Sequence, residues 1–165
     1  GFMRSCRNWK KQEPLFVKSG RVIGSKVILI FFVLSPITQG KGENEDSIGL
    51  SVTHQSCRFL FLGDLDQHAE EKIGNAYPDL KADVIKLGHH GSRTSSHPQF
   101  ISQLEATYGV LSCGVNNLFG HPHEDVLATL KQNKVTPLRT DRQGAITFKW
   151  HPFWYPEGKI HTMID

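Results

Sequence analysis

The rhythm of apolar residues changes at residue 64, and that change limits the folds open to this chain of 165 residues. Upstream the pattern is that of strands. Leu15–Val17, Arg21–Ile23 and Val27–Val33 are short apolar segments broken by Gly20 and Gly24-Ser25, and Ser47–Thr53 and Arg58–Gly63 flank a turn at Gln55-Ser56. Downstream, helix and strand alternate. Asp66–Ala76 has helical spacing and Val84–Leu87 is a short strand. Phe100, Ile101 and Leu104 share a helix face, with Ser95 or Ser96 as cap and Pro98 in the first turn. Tyr108–Ser112 is a strand, Val126, Leu127 and Leu130 mark a helix ending near Asn133, and Pro137–Arg139 and Ala145–Trp150 are closing strands. Strands first, then alternation, predicts an α/β (α+β) domain with helices packed on a sheet.

The longest apolar run, Val27–Leu34, is eight residues. A membrane-spanning helix needs roughly 20, so this run reads as a buried strand. Hydrophobic residues make up 38% and charged residues 21%, which excludes a disordered or fibrous chain. Cys6, Cys57 and Cys113 are odd in number and lack C-x-x-C spacing, so neither a disulfide framework nor a thiolate zinc site is expected. Arg4, Arg7, Lys10 and Lys11 are not followed by the apolar stretch of a signal peptide. Residues 1–26 carry seven Lys and Arg against Glu13 alone, a stretch fit for an anionic partner such as nucleic acid or for a solvated surface.

Four segments carry chemistry. In Phe61-Leu62-Gly63-Asp64-Leu65-Asp66 an apolar strand stops at a glycine and a carboxylate follows. Asp64 would project from the strand end, where α/β proteins gather their site residues, and could bridge two cations, while Asp66 suits the N-cap of the next helix. In Leu87-Gly88-His89-His90-Gly91-Ser92 a second strand-glycine pair leads into two imidazoles. Adjacent histidines point in different directions, so one can bind metal while its neighbour faces substrate. The third segment, Asn116–Asp125, links a strand to a helix. His121 is expected to face the site, Glu124 and Asp125 to complement the helix dipole, and backbone N–H groups at the helix start to suit a phosphate. In the fourth, a turn at Arg142–Gly144 is expected to join two strands as a hairpin, with Thr140 and Asp141 at the pocket rim.

Together Asn44–Ser47, Leu62–Leu65, Leu87–Ser92, Gly120–His123 and Thr140–Ile146 resemble, in order and spacing, the C-terminal metallo-β-lactamase-like domain of ComEC-type competence proteins. The resemblance spans residues 42–150. It implies an αββα sandwich, of which residues 1–165 would be a single partial domain, the C-terminal half, because the superfamily's H-x-H-x-D-H motif is missing upstream. It implies Asp64 as a bridging carboxylate and His89 or His90 as a metal ligand, His90 being the favoured one, with His89 turned to substrate and His89 and His121 joining Asp64 as catalytic residues. Ser92, His121 and Asp141 would contact substrate. Two divalent ions, Zn or Mn, would serve phosphodiester hydrolysis in the complete domain, with weak or no binding in this half. DNA, the N-terminal half of the same domain and the membrane channel of the parent protein are the implied partners, and the half domain is expected to self-associate. The parent would lie in the bacterial cell membrane, with this domain soluble. Two other classes fit the residues: a DNA-binding module that steers a strand without catalysis, and a hydrolase of small phosphoesters.

Overall fold

The computed structural model describes residues 15–17, 29–37, 43–54, 57–151 and 155–164. The expected strand Arg21–Ile23, the turn at Gln55-Ser56 and most of the basic stretch 1–26 lie outside them.

One seven-stranded sheet organises the chain, its strands lying side by side in sequence order: β1 (Leu15–Val17), β2 (Leu29–Ser35), β3 (Gly49–His54), β4 (Cys57–Phe61), β5 (Val84–Lys86), β6 (Tyr108–Leu111) and β7 (Thr136–Arg139). The first four pair antiparallel and β4 through β7 run parallel. Parallel neighbours need crossovers, and helices supply them: α1 (Gln67–Ala76), α2 (Pro98–Leu104) and α3 (Glu124–Gln132). Because the strand order never reverses, right-handed crossovers put all three helices on the same face. The mixed α+β architecture expected from the change of rhythm is borne out.

The core lies between that face and the helices, where Leu60, Ile85 and Leu111 of the sheet meet Ile73, Phe100 and Leu130, all at most 2% exposed. On the opposite face strand alternation lines up Phe31, Val33, Leu50, Val52, Phe59 and Phe61. A second, two-stranded sheet of β8 (Ile146–His151) and β9 (Tyr155–Thr162) covers part of this face, with the Phe148 ring edge-on to Phe59 at 5.6 Å and to Tyr108 at 6.3 Å. Phe61 remains 42% exposed. No helix among the described residues is long and apolar enough to cross a membrane.

Two expectations are corrected. Arg142–Gly144 does not close a hairpin. Thr140–Gln143 forms a single helical turn, α4, Gly144 follows at φ +65°, and β8 leaves the main sheet to pair with β9. Neither Ser95 nor Ser96 is the N-cap of α2. His97 holds that position, and the Ser96 and His97 N–H groups donate to the carboxylate of Glu70, on α1, at 3.0 and 2.6 Å. Asp66 caps α1 as expected, accepting from the Ala69 N–H at 2.9 Å.

Candidate active site

The chemically distinctive residues gather at the carboxyl ends of the parallel strands. After β4 the chain turns at Gly63, whose φ of +57° is a left-handed conformation open to glycine. Leu62 and Leu65, fully buried, anchor the turn on both sides, and the half-exposed Asp64 side chain stands out between them.

After β5 comes a more strained turn. His89 and His90 both adopt left-handed backbone (φ 45° and 56°), and Gly91 continues it at φ 82°. Each of the two histidines costs on the order of 1–2 kcal/mol there, so the surroundings must over-determine the turn. The His89 N–H donates to the Gly63 carbonyl at 3.0 Å and the Ser92 N–H to the His89 carbonyl at 2.9 Å. The Ser95 hydroxyl donates to the Gly88 carbonyl at 2.9 Å, and the His123 N–H to the Gly91 carbonyl at 3.0 Å. Close packing makes both glycines necessary. A Cβ on Gly88 would lie 2.7 Å from the Leu65 carbonyl oxygen, and one on Gly91 would lie 2.6 Å from Leu111 Cδ2. Held this tightly, the turn places both imidazoles on the wall of one cavity while each keeps its own partners.

His90 Nδ1 lies 2.7 Å from the Ser112 carbonyl oxygen, at the end of β6. A carbonyl only accepts, so Nδ1 carries the proton, and in the neutral ring Nε2 is left with a lone pair. That nitrogen faces Asp64 Oδ1 at 3.7 Å. A lone pair opposite a carboxylate oxygen calls for a cation between them, or for a proton on Nε2. Two ligands ~2.0–2.2 Å from a shared Zn stand roughly 3–4 Å apart, so Asp64 and His90 fit as two members of a ligand set. Among the described residues no group of three or more His, Cys, Asp and Glu side chains is placed to hold a metal ion.

His89, His90 and His121 line one cavity of about 540 Å³ with Ser112, Cys113, Gly114, Asn117 and Phe119. The His121 ring is 6.0 Å from His89, 6.5 Å from His90 and 5.0 Å from His123. Burial, and then the like charges of His123, His89 and His90, hold the His121 imidazole below its ordinary range, which favours the neutral ring. Lys86 is half-buried on β5. Burial lowers its ammonium, and the charge of Asp64 opposes that shift.

The remaining expected residues sit apart from the cavity wall. Ser92 is 6% exposed and its hydroxyl pairs with Thr94 Oγ1 at 3.0 Å. Asp141 receives Arg139 through Nε at 3.0 Å and through the terminal nitrogen at 2.6 Å, and the Cys113 thiol at 3.3 Å. The Arg139 fork holds the Asp141 carboxyl below its usual range, while burial, then Asp141, raises the Cys113 thiol. Thr140 Oγ1 donates to the Cys113 carbonyl at 2.8 Å and accepts its N–H at 2.9 Å. Asp141 and Thr140 therefore brace the segment whose Ser112 carbonyl orients His90. Ser112, Asn117 and Phe119 also line the cavity, and residue type alone does not mark them as site residues. A carbonyl's role has no signature in residue type, but the apolar pair Leu118-Phe119 inside a polar loop was a readable signal.

No protein-family model matches the chain. It is similar to ComE operon protein 3 of Bacillus subtilis (strain 168), 38% identical over 135 residues that cover 81% of this chain and 17% of that protein. It is also similar to competence protein ComA of Neisseria gonorrhoeae, 37% identical over 107 residues, 64% of this chain and 16% of that one. Recombination protein 2 of Haemophilus influenzae is 29% identical over 121 residues, 72% of this chain and 15% of that one. These homologues are competence proteins of the ComEC family, and the chain spans about a sixth of their length.

Proposed function

We propose that this chain, homologous to competence proteins, is part of a DNA-uptake protein and forms one wall of a metal-dependent phosphodiesterase site in a metallo-β-lactamase-like domain. The observation that carries this reading is the Asp64–His90 pair, a carboxylate and an oriented imidazole lone pair 3.7 Å apart, whose His90 lines a cavity with two further histidines. Asp64 and His90 would hold a divalent ion, Zn or Mn, with the remaining ligands supplied by residues outside those described here. When bound, two such ions would activate a water and stabilise the attacking and leaving oxygens of the phosphodiester. His90 keeps its Nδ1 proton on the Ser112 carbonyl and presents Nε2. His121, with its depressed basicity, offers a neutral ring to a phosphate oxygen or to the leaving group. His89 lies beside it toward substrate, its Nδ1 3.3 Å from Thr94 Oγ1. Ser92 lies beneath the histidine turn rather than in the cavity and supports Thr94.

The partners we propose are DNA, the other half of an αββα sandwich and the membrane channel of the parent, with the parent in the cell membrane. The test is DNA cleavage by this chain joined to the remainder of its parent protein, with Mn²⁺ and with Zn²⁺, beside Asp64→Ala. Cleavage by the parent and a loss of at least a hundredfold on substitution is the expected outcome. A second reading, DNA steering without catalysis, is favoured by the gathering of only two metal donors among the described residues. It predicts no cleavage with either metal and salt-sensitive DNA binding that survives Asp64→Ala.

A further inference from the structure

Between β6 and α3 the chain forms a loop braced by one amide side chain. Asn117 Nδ2 donates to the Gly114 carbonyl at 3.0 Å and to the His121 carbonyl at 2.7 Å, while its Oδ1 accepts the His121 N–H at 2.8 Å. Left-handed backbone at Asn116 (φ 55°) and Gly120 (φ 68°) lets the loop turn around that amide. The result faces apolar side chains outward: Val115 is 70% exposed, Leu118 99% and Phe119 76%. Scattered apolar residues on a surface need no explanation, but three on one braced loop at the lip of a site do.

The ring planes narrow the choice of partner. His90 and His121 are within 11° of parallel at 6.5 Å, and His121 and Phe119 within 25° at 5.8 Å. The two pairs share His121, and Phe119, at 76% exposure, leaves ring surface open to a further flat ring. We propose that this loop is a stacking platform for the bases of single-stranded nucleic acid, with Phe119 taking the face of one base while the adjoining phosphate lies toward the histidines. The proposal rests on the phosphodiester reading of the same cavity and names its substrate as a single strand. Every base has a π face, so a stacking ring holds a strand without reading its sequence, whereas in a duplex those faces are covered. A lipid surface takes apolar side chains, aromatic ones included, in any mutual orientation, so it does not require the ring planes to be aligned.

The experiment compares binding of a labelled oligo-dT, and of an abasic oligonucleotide of the same length, to the chain and to Phe119→Ala and Phe119→Trp, without divalent metal. Phe119 is exposed, so its truncation removes little packing, and circular dichroism checks that the fold persists. Phe119→Ala is expected to weaken oligo-dT binding by roughly 5- to 100-fold. It should leave abasic binding within about twofold, and Phe119→Trp should restore the loss, as expected when stacking on the ring carries the difference. Equal losses for both probes, no loss for either, or no measurable oligo-dT binding by the unsubstituted chain overturns the proposal. So does an effect of Phe119→Ala confined to vesicles of phosphatidylglycerol and phosphatidylcholine. Binding is read without cleavage, so a failure of the hydrolysis reading under Asp64→Ala leaves this result standing, and the converse also holds.

Discussion

Burial of the Glu70 carboxyl costs ionisation free energy that its two backbone N–H donors only partly return. The side chain is fully buried, and burial pushes its carboxyl from the usual 4.5 up to about 7, against the lowering effect of the His97 and Ser96 N–H groups. A folded-state value above the unfolded one means that the folded chain binds the proton more tightly. The resulting stability is therefore fully present below pH 4.5 and is lost as the pH rises toward 7, by on the order of 3 kcal/mol. Urea unfolding at pH 4.5 and pH 8 should show this loss in the wild type and not in Glu70→Gln, and parallel profiles for the two would contradict it. Gly88→Ala tests the strained turn. Its Cβ would stand 2.7 Å from the Leu65 carbonyl, a backbone atom that cannot step aside, so a destabilisation of about 2 kcal/mol or more is expected in the same assay. Asp66 was legible as a cap because it acts on its own helix. Glu70 was not, because the N–H groups that it serves lie 26 and 27 residues downstream.

At the scale of elements, the second sheet depends on few contacts. Phe148 is its aromatic anchor on the main sheet, against Phe59 and Tyr108. Phe148→Ala should cost roughly 1–3 kcal/mol and raise hydrogen exchange in β8 and β9 before β4 to β7 are affected. Uniform exchange across both sheets would show that they unfold as one. The strands and helices from Gly49 onward were readable from period and punctuation, since each buries one face. The Arg142–Gly144 segment was misread because a glycine at positive φ follows a helical turn as readily as it closes a hairpin, and only the partner strand distinguishes them. The histidine turn was visible as a motif, but its geometry was not. Left-handed φ at two non-glycine residues comes from bonds to Gly63 and Ser112, distant in sequence, together with the Ser95 bond to Gly88 seven residues back.

Across the whole molecule, the two faces of the main sheet are unequally covered. The helix face holds the buried core, whereas Phe61 is 42% exposed on the other, in line with Leu50 and Val33. Concentration-dependent self-association of this chain is therefore expected in sedimentation velocity, and Phe61→Asp should weaken it without loss of secondary structure. A monomer at all concentrations would mean that the face is covered by residues outside those described. How the motifs converge was legible only through the resemblance. Spacing put Asp64, the two histidines and His121 after strands, but only strand order puts all three strand ends on the same sheet edge. That order has a further consequence for how the protein comes into being. Each strand of the large sheet settles beside the one made just before it, so no segment must wait for a distant partner to be synthesised. The sheet can grow strand by strand as the chain leaves the ribosome, with the residues that line the cavity all present once the loop from Gly114 to His121 has emerged, before β7 and the second sheet are made.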